Sequence, residues 1–129
     1  MQAKDVSAVT ELLDRYSKRF AMAPVFDKDE IAHWLLKDDK ALEQVVWSYV
    51  VEDPSSHKIT DFFSFYCLES SVIGNQKHDN VRAAYLFYYA TETAFEPQEK
   101  GLKERINALM NDALILAKTV SMPFQTCVI

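Results

Sequence analysis

The chain has 129 residues, 49% of them hydrophobic and 26% charged, with a formal net charge of −5. These values describe one globular domain rather than a disordered segment. The 14 Lys and Arg residues are scattered among 19 Asp and Glu, so no basic patch is offered to a phosphate backbone and a nucleic-acid partner is excluded.

In chain order, Val6, Val9, Leu12, Leu13, Tyr16 and Phe20 make one helical stripe, with Asp5 placed as its N-cap. Ala21 to Phe26 is a short non-helical connection, because Pro24 restricts the residue before it. Asp27 and Glu30 then have the spacing of a capping box, and the helix they open is expected to bury Ile31, Trp34 and Leu35. Val45 to Val51, rich in β-branched and aromatic residues, reads as a strand. Turn residues from Asp53 to Lys58 lead into a second strand, Ile59 to about Leu68, giving an antiparallel hairpin. A third strand runs from Val81 to about Thr91; its continuous apolar residues predict cover on both faces. Finally, Leu102, Ile106, Leu109, Ala113, Leu116 and Val120 step by 4, 3, 4, 3 and 4 along an amphipathic helix that must pack on the sheet. The order α-α-β-β-β-α is that of an α+β fold with a mostly antiparallel sheet. The residues after Thr119, broken by Pro123, read as no strand, so the final strands of the sheet are expected to be missing.

Cys67 and Cys127 supply no disulfide framework, and Cys67 reads as a small buried side chain. Met1-Gln-Ala-Lys-Asp5 lacks the apolar core of a signal peptide, and the longest apolar run, Ala83 to Ala90, is too short to span a bilayer. Cys127 stands third from the end, where a prenylation box needs it fourth. A soluble, cytoplasmic chain is the expectation.

Catalytic motifs are scarce. His33, His57 and His78 are isolated from one another and from any zinc spacing. Ser64 lacks the G-x-S-x-G turn of an exposed nucleophile, and Gly74 and Gly101 are too few for a phosphate cradle. Asp61 and Glu69 do not make a carboxylate pair, since eight residues of extended chain separate them by about 26 Å. Tyr85, Phe87, Tyr88 and Tyr89 read first as core, with groove lining as the alternative.

Seven blocks do carry a resemblance. They are Asp5-Val-Ser-Ala-Val9, Ala23-Pro-Val-Phe26, His33-Trp-Leu-Leu36, Tyr49-Val-Val-Glu-Asp53, Thr60-Asp-Phe-Phe-Ser-Phe-Tyr66, Ala83-Ala-Tyr85 and Met110-Asn-Asp-Ala-Leu-Ile-Leu-Ala-Lys118. In this order and at these spacings they resemble the C-terminal half of the glycylpeptide N-tetradecanoyltransferases (N-myristoyltransferases). Asp79-Asn-Val-Arg-Ala-Ala-Tyr85 and Ala90-Thr-Glu-Thr-Ala-Phe95 look closest to the fungal members. The resemblance implies a GNAT-like (acyl-CoA N-acyltransferase-like) half over residues 1–118, with a divergent tail at 119–129. It also implies an acyltransferase moving myristate from myristoyl-CoA, a co-substrate rather than a tightly bound cofactor, to N-terminal-glycine peptides.

By the same resemblance, Ser70, Val81 and Tyr85 match peptide-groove positions, so Glu69-Ser70-Ser71 is expected to be a polar turn forming a lip beside an aromatic floor. The family has Pro-Ser-Thr there, and Glu69 departs from it. The family's general base is a terminal carboxylate, and its oxyanion-binding backbone and CoA loop lie in its first half; no residue here matches them, so none is assigned as catalytic. The chain is thus expected to be a truncated product with little transferase activity alone. A non-catalytic peptide-binding module is the alternative. A sheet lacking its final strands would also expose an edge and favour self-association.

Overall fold

The structure, a computed structural model, describes residues 1–37, 44–73, 80–120 and 126–128. The expected loop through Gly74 and His78, and the tail at 121–125 with Ile129, lie outside the described residues.

Helix α1 spans Val6–Ser17 behind a 3-10 turn, Ala3–Asp5. Asp5 does not cap α1 through its side chain; its buried carboxylate instead accepts from the Gln2 backbone N–H at 2.7 Å. Helix α2, Lys28–Leu35, opens on the expected capping box. The Glu30 N–H donates to Asp27 Oδ1 at 2.8 Å and the Asp27 N–H to Glu30 Oε2 at 3.0 Å. Ile31 and Leu35, one turn apart, are buried as expected, but Trp34 is not. In so short a helix the Ile31–Leu35 seam takes the core side, and Trp34 stands 53% exposed with its ring edge-on to His33.

Strands β1 (Val46–Glu52), β2 (Ile59–Ser71) and β3 (Asn80–Thr91) form an antiparallel meander. The β1–β2 turn is held by the Asp53 carboxylate, which accepts from the N–H and hydroxyl of Ser56. Helix α3 follows over Leu102–Val120. The expectation that the final strands are missing needs correction. A short strand β4, Thr126–Val128, pairs in parallel with Ala83–Tyr85, so the sheet order is β1-β2-β3-β4. A helix of 19 residues is long enough to return the chain to the edge of β3 despite Pro123.

Two cores lie on opposite faces of the sheet. Val9, Leu12, Leu13 and Tyr16 of α1 and Ile31 and Leu35 of α2 pack on Phe62 and Ala90. Leu109, Ala113 and Ala117 of α3 pack on Phe63, Phe65 and Ala84. The alternation of Phe62 with Phe63 and Phe65 follows from the period of two along a strand. On β3, cover on both faces holds at Ala83, Ala84, Ala90 and Thr91, whereas Tyr85 to Tyr89 are only half-buried. Among the described residues, no helix is long and apolar enough to cross a membrane.

Candidate peptide-binding face

The register brings the three groove candidates together. Ser70 is the direct cross-strand partner of Val81, and Tyr66 is the partner of Tyr85. Since residues two apart share a face, Tyr66, Leu68 and Ser70 on β2 line up with Val81, Ala83 and Tyr85 on β3. The rings of Tyr66 and Tyr85 stack at 5.4 Å, and the Phe87 ring meets Tyr66 edge-on at 5.6 Å. This is the face that α1 and α2 cover further along the ladder, but here it is open: Ser70 is exposed, Leu68 is 49% exposed, and Val81 and Tyr85 are half-buried. Tyr66 and Leu68 were absent from the sequence-based candidates; the alternation within Tyr66-Cys-Leu-Glu-Ser70 was the signal for them.

The expected turn at Glu69-Ser70-Ser71 is instead the end of β2, with Glu69 opposite Arg82, Ser70 opposite Val81 and Ser71 opposite Asn80. Glu69 explains the difference. It faces the other side of the sheet, where its Oε1 accepts from Asn80 Nδ2 at 3.0 Å and its Oε2 lies 3.2 Å from Arg82 Nε. A proline there would donate no backbone hydrogen bond and carry no carboxylate, so Glu69 adds two cross-strand fastenings and leaves the Ser70 hydroxyl on the open face. Ser70 is thus presented by a strand, which fixes its direction more firmly than a loop does.

Beyond Phe87 the aromatic floor leads into a hollow of about 200 Å³ between the end of α1 and β3, lined by Leu13, Tyr16, Phe20, Met22, Pro24 and Tyr88 among others. Burial, with Tyr89 adding to it, pushes the Tyr16 hydroxyl up to about 12, so the lining is uncharged at neutral pH. A larger but shallow hollow at the start of α3, lined by Glu99, Leu102, Lys103 and Ile106, is separate from this face.

The other end of the ladder is closed. Asp61, opposite Thr91, is buried, and both its oxygens accept from Arg105 of α3, Nε to Oδ1 at 2.9 Å and Nη2 to Oδ2. Burial alone would push this carboxyl up. Hydrogen bonds from Arg105, Thr91 and Thr60, with the Arg105 charge, outweigh it and hold Asp61 below the ordinary carboxylate range. Glu92 likewise receives Arg15 on both oxygens, at 2.9 and 3.0 Å, and Lys58 at 3.0 Å.

These pairs bear on which groups remain for chemistry. The four arginines, Arg15, Arg19, Arg82 and Arg105, each lie within ion-pair distance of a carboxylate. Burial raises the Cys67 thiol, with nearby Glu69 adding to it against Arg82, which disfavours a thiolate. Ser64 is fully buried and bonded to the backbone of β3, consistent with its lack of a nucleophile turn. Among the described residues, no three His, Cys, Asp or Glu converge as a metal site. The face offers a hydroxyl and an aromatic surface, and among its described residues there is no acid–base pair.

Comparison with known proteins identifies the family and the fold. Residues 1–128 match the family model of the myristoyl-CoA:protein N-myristoyltransferase C-terminal domain. The glycylpeptide N-tetradecanoyltransferase of Aspergillus fumigatus is 65% identical over 119 residues, 92% of this chain and 24% of that protein. That of Schizosaccharomyces pombe is 50% identical over 123 residues, 92% of this chain and 26% of that protein. The solved Saccharomyces cerevisiae N-myristoyltransferase with bound myristoyl-CoA superposes with a TM-score of 0.81 at 40% identity, over 92% of this chain and 29% of that one. A Brucella melitensis ribosomal-protein-alanine N-acetyltransferase, TM-score 0.55 at 19% identity over 99% of this chain and 75% of that one, shares the acyltransferase fold alone. The chain therefore spans about a quarter of the length of the curated relatives it matches, and it belongs to the N-myristoyltransferase C-terminal domain family.

Proposed function

We propose that this chain supplies the peptide-holding face of a glycylpeptide N-tetradecanoyltransferase, an acyltransferase acting in the cytoplasm on proteins with an N-terminal glycine. The observation that carries the reading is the pairing of Ser70 with Val81 beside the Tyr66–Tyr85 stack on one open face. An extended peptide laid there meets the Ser70 hydroxyl for its backbone and an aromatic floor for its side chains. In the reaction the glycine ammonium first gives up one proton, the free amine nitrogen bonds to the acyl carbonyl carbon of myristoyl-CoA, the C–S bond breaks, and the second proton lost from nitrogen goes to the departing sulfur, so that CoA leaves as thiol. The residues assigned here position the peptide for that attack; none is assigned as base or as oxyanion donor.

The 129 residues alone are accordingly expected to bind peptide without transferring acyl groups. Purified chain is mixed with myristoyl-CoA and a peptide carrying an N-terminal glycine, binding is followed by fluorescence anisotropy, and acylated peptide is sought by mass spectrometry. Binding without product supports the reading. Product above the uncatalysed rate would show that these residues carry a thioester site and a base of their own. The alternative is a non-catalytic peptide-binding module. It predicts no product even when the remaining three-quarters of a fungal relative is added in trans.

A further inference from the structure

Along the β2–β3 ladder Tyr66 pairs with Tyr85 and Phe62 with Ala90, four steps along β2 but five along β3. Strand side chains alternate with a period of two, so without an irregularity Tyr85 and Ala90 would face opposite sides of the sheet. Both face the α1 side because the register shifts between Phe63 and Phe65, where Ser64 alone opposes Phe87 and Tyr88. The extra residue is a β-bulge. Its geometry is visible in the side chains: Phe87 and Tyr88, though adjacent, both pack against the α1–α2 core, with ring centroids 4.3 Å apart.

A bulge interrupts the ladder and leaves backbone groups to be satisfied. Here one side chain does it. The Ser64 hydroxyl, fully buried, donates to the Tyr88 carbonyl at 3.1 Å and accepts from the Tyr88 N–H at 3.1 Å. We propose that Ser64 is the positioning residue of the peptide-binding face: its hydroxyl fixes the bulge that turns Val81, Tyr85 and Phe87 to the same side as Ser70 and Tyr66 while Ala90 stays in the core. The proposal rests on the reading of that face as peptide-holding, but the bulge and its consequence for the rings can be tested without peptide. Removing the hydroxyl takes away its hydrogen bonds to both the Tyr88 N–H and the Tyr88 carbonyl, and a straight strand slipped by one residue becomes the competitor. Such a slip withdraws Val81 and Tyr85 from the face together.

The test compares the 129-residue chain with its Ser64→Ala and Ser64→Thr variants. Three quantities are read: affinity for a labelled peptide with an N-terminal glycine, the aromatic ring-proton shifts of Tyr66 and Tyr85, and hydrogen exchange at the Tyr88 amide. Ser64→Ala is expected to weaken peptide binding by about tenfold or more, to abolish the ring-stacking shifts, and to speed Tyr88 exchange. Ser64→Thr, which keeps the hydroxyl, is expected to preserve the ring shifts and Tyr88 protection. Unchanged ring shifts and affinity in a folded Ser64→Ala chain would overturn the proposal. Should that variant melt without cooperativity, the parent chain decides: a Tyr88 amide as protected as that of Ala90 supports the proposal, and exchange at the rate of exposed backbone overturns it. If the parent chain binds no peptide, the proposed function fails, while the response of the ring shifts to Ser64→Ala still supports or overturns the role of Ser64.

Discussion

At one end of the β2–β3 ladder, Asp61 faces Thr91 and Phe62 faces Ala90, none of them more than 1% exposed. At the other end, Ser70 faces Val81 and Tyr66 faces Tyr85, with Leu68 between them on β2 half in solvent. Both ends combine a hydroxyl, an aromatic ring and small apolar residues, and the closed end adds the buried Asp61 carboxylate. Partners separate them further. Thr91 caps the 3-10 turn that follows β3, accepting from the Thr93 N–H at 3.2 Å, and Phe62 lies under α1 and α2. On the open end the Ser70 hydroxyl is exposed, and the aromatic rings touch chiefly one another. Saturated pairing makes the closed end a clamp; the exposed hydroxyl and open aromatic surface are what make the other end the proposed place for a ligand.

Substitutions at the closed end should break the fold, and those at the open end should change binding alone. The largest effect is expected for Phe62→Ala, which empties the centre of the α1–α2 core and should cost about 4 kcal/mol in urea denaturation. Next is Asp61→Asn, which strips Arg105 of its buried carboxylate and should cost about 3 kcal/mol. The same pair contributes to the acid sensitivity of the fold, beside Glu92, whose carboxyl is also held below its ordinary range. A carboxyl held below its unfolded value contributes stability that is complete above that value and is lost as pH falls through the folded one. Melting temperature should therefore drop below about pH 4 in the parent chain and by less in Asp61→Asn, where Glu92 still contributes.

At the open end, Tyr85→Ala should weaken binding of an N-terminal-glycine peptide by about tenfold, from loss of the stacked floor, while stability changes by less than about 1 kcal/mol. Ser70→Ala should be milder still, about threefold in affinity with melting unchanged, as fits one exposed hydroxyl. A loss of cooperative unfolding in either variant would erase the distinction between the ends. Tyr16 sets an alkaline limit. Its raised hydroxyl favours folding below about pH 10, and that contribution should fade as pH rises towards about 12.

Much of the fold is legible in the sequence because its signals are local. The 4-3-4-3-4 stripe of α3, the Asp27–Glu30 capping box and the Asp53 turn each depend on residues a few positions apart. Trp34 misleads because apolarity does not say which of three neighbouring residues takes the seam of a two-turn helix. The Asp61–Arg105 pair spans 44 positions and leaves no local mark. Strand β4 stays hidden because three residues carry no period. For the candidate site, residue identities come from the family resemblance and the Ser70–Val81 and Tyr66–Tyr85 register puts them on one face; the bulge opposite Ser64 is what places that face on the same side as Ala90 and the α1–α2 core. That bulge appears in the sequence only as an apolar run with no alternation, which reads equally as a strand covered on both faces.

On this account the open end of the ladder holds peptide while the closed end only holds the fold. The most direct measurement is a titration of the isotopically labelled 129-residue chain with a peptide carrying an N-terminal glycine, followed by backbone and side-chain NMR shifts. Saturable shifts confined to Tyr66, Leu68, Ser70, Val81 and Tyr85, with Phe62 and Thr91 unmoved, are the predicted result. Shifts centred on the α3 face, or no saturable shifts at all, would contradict it.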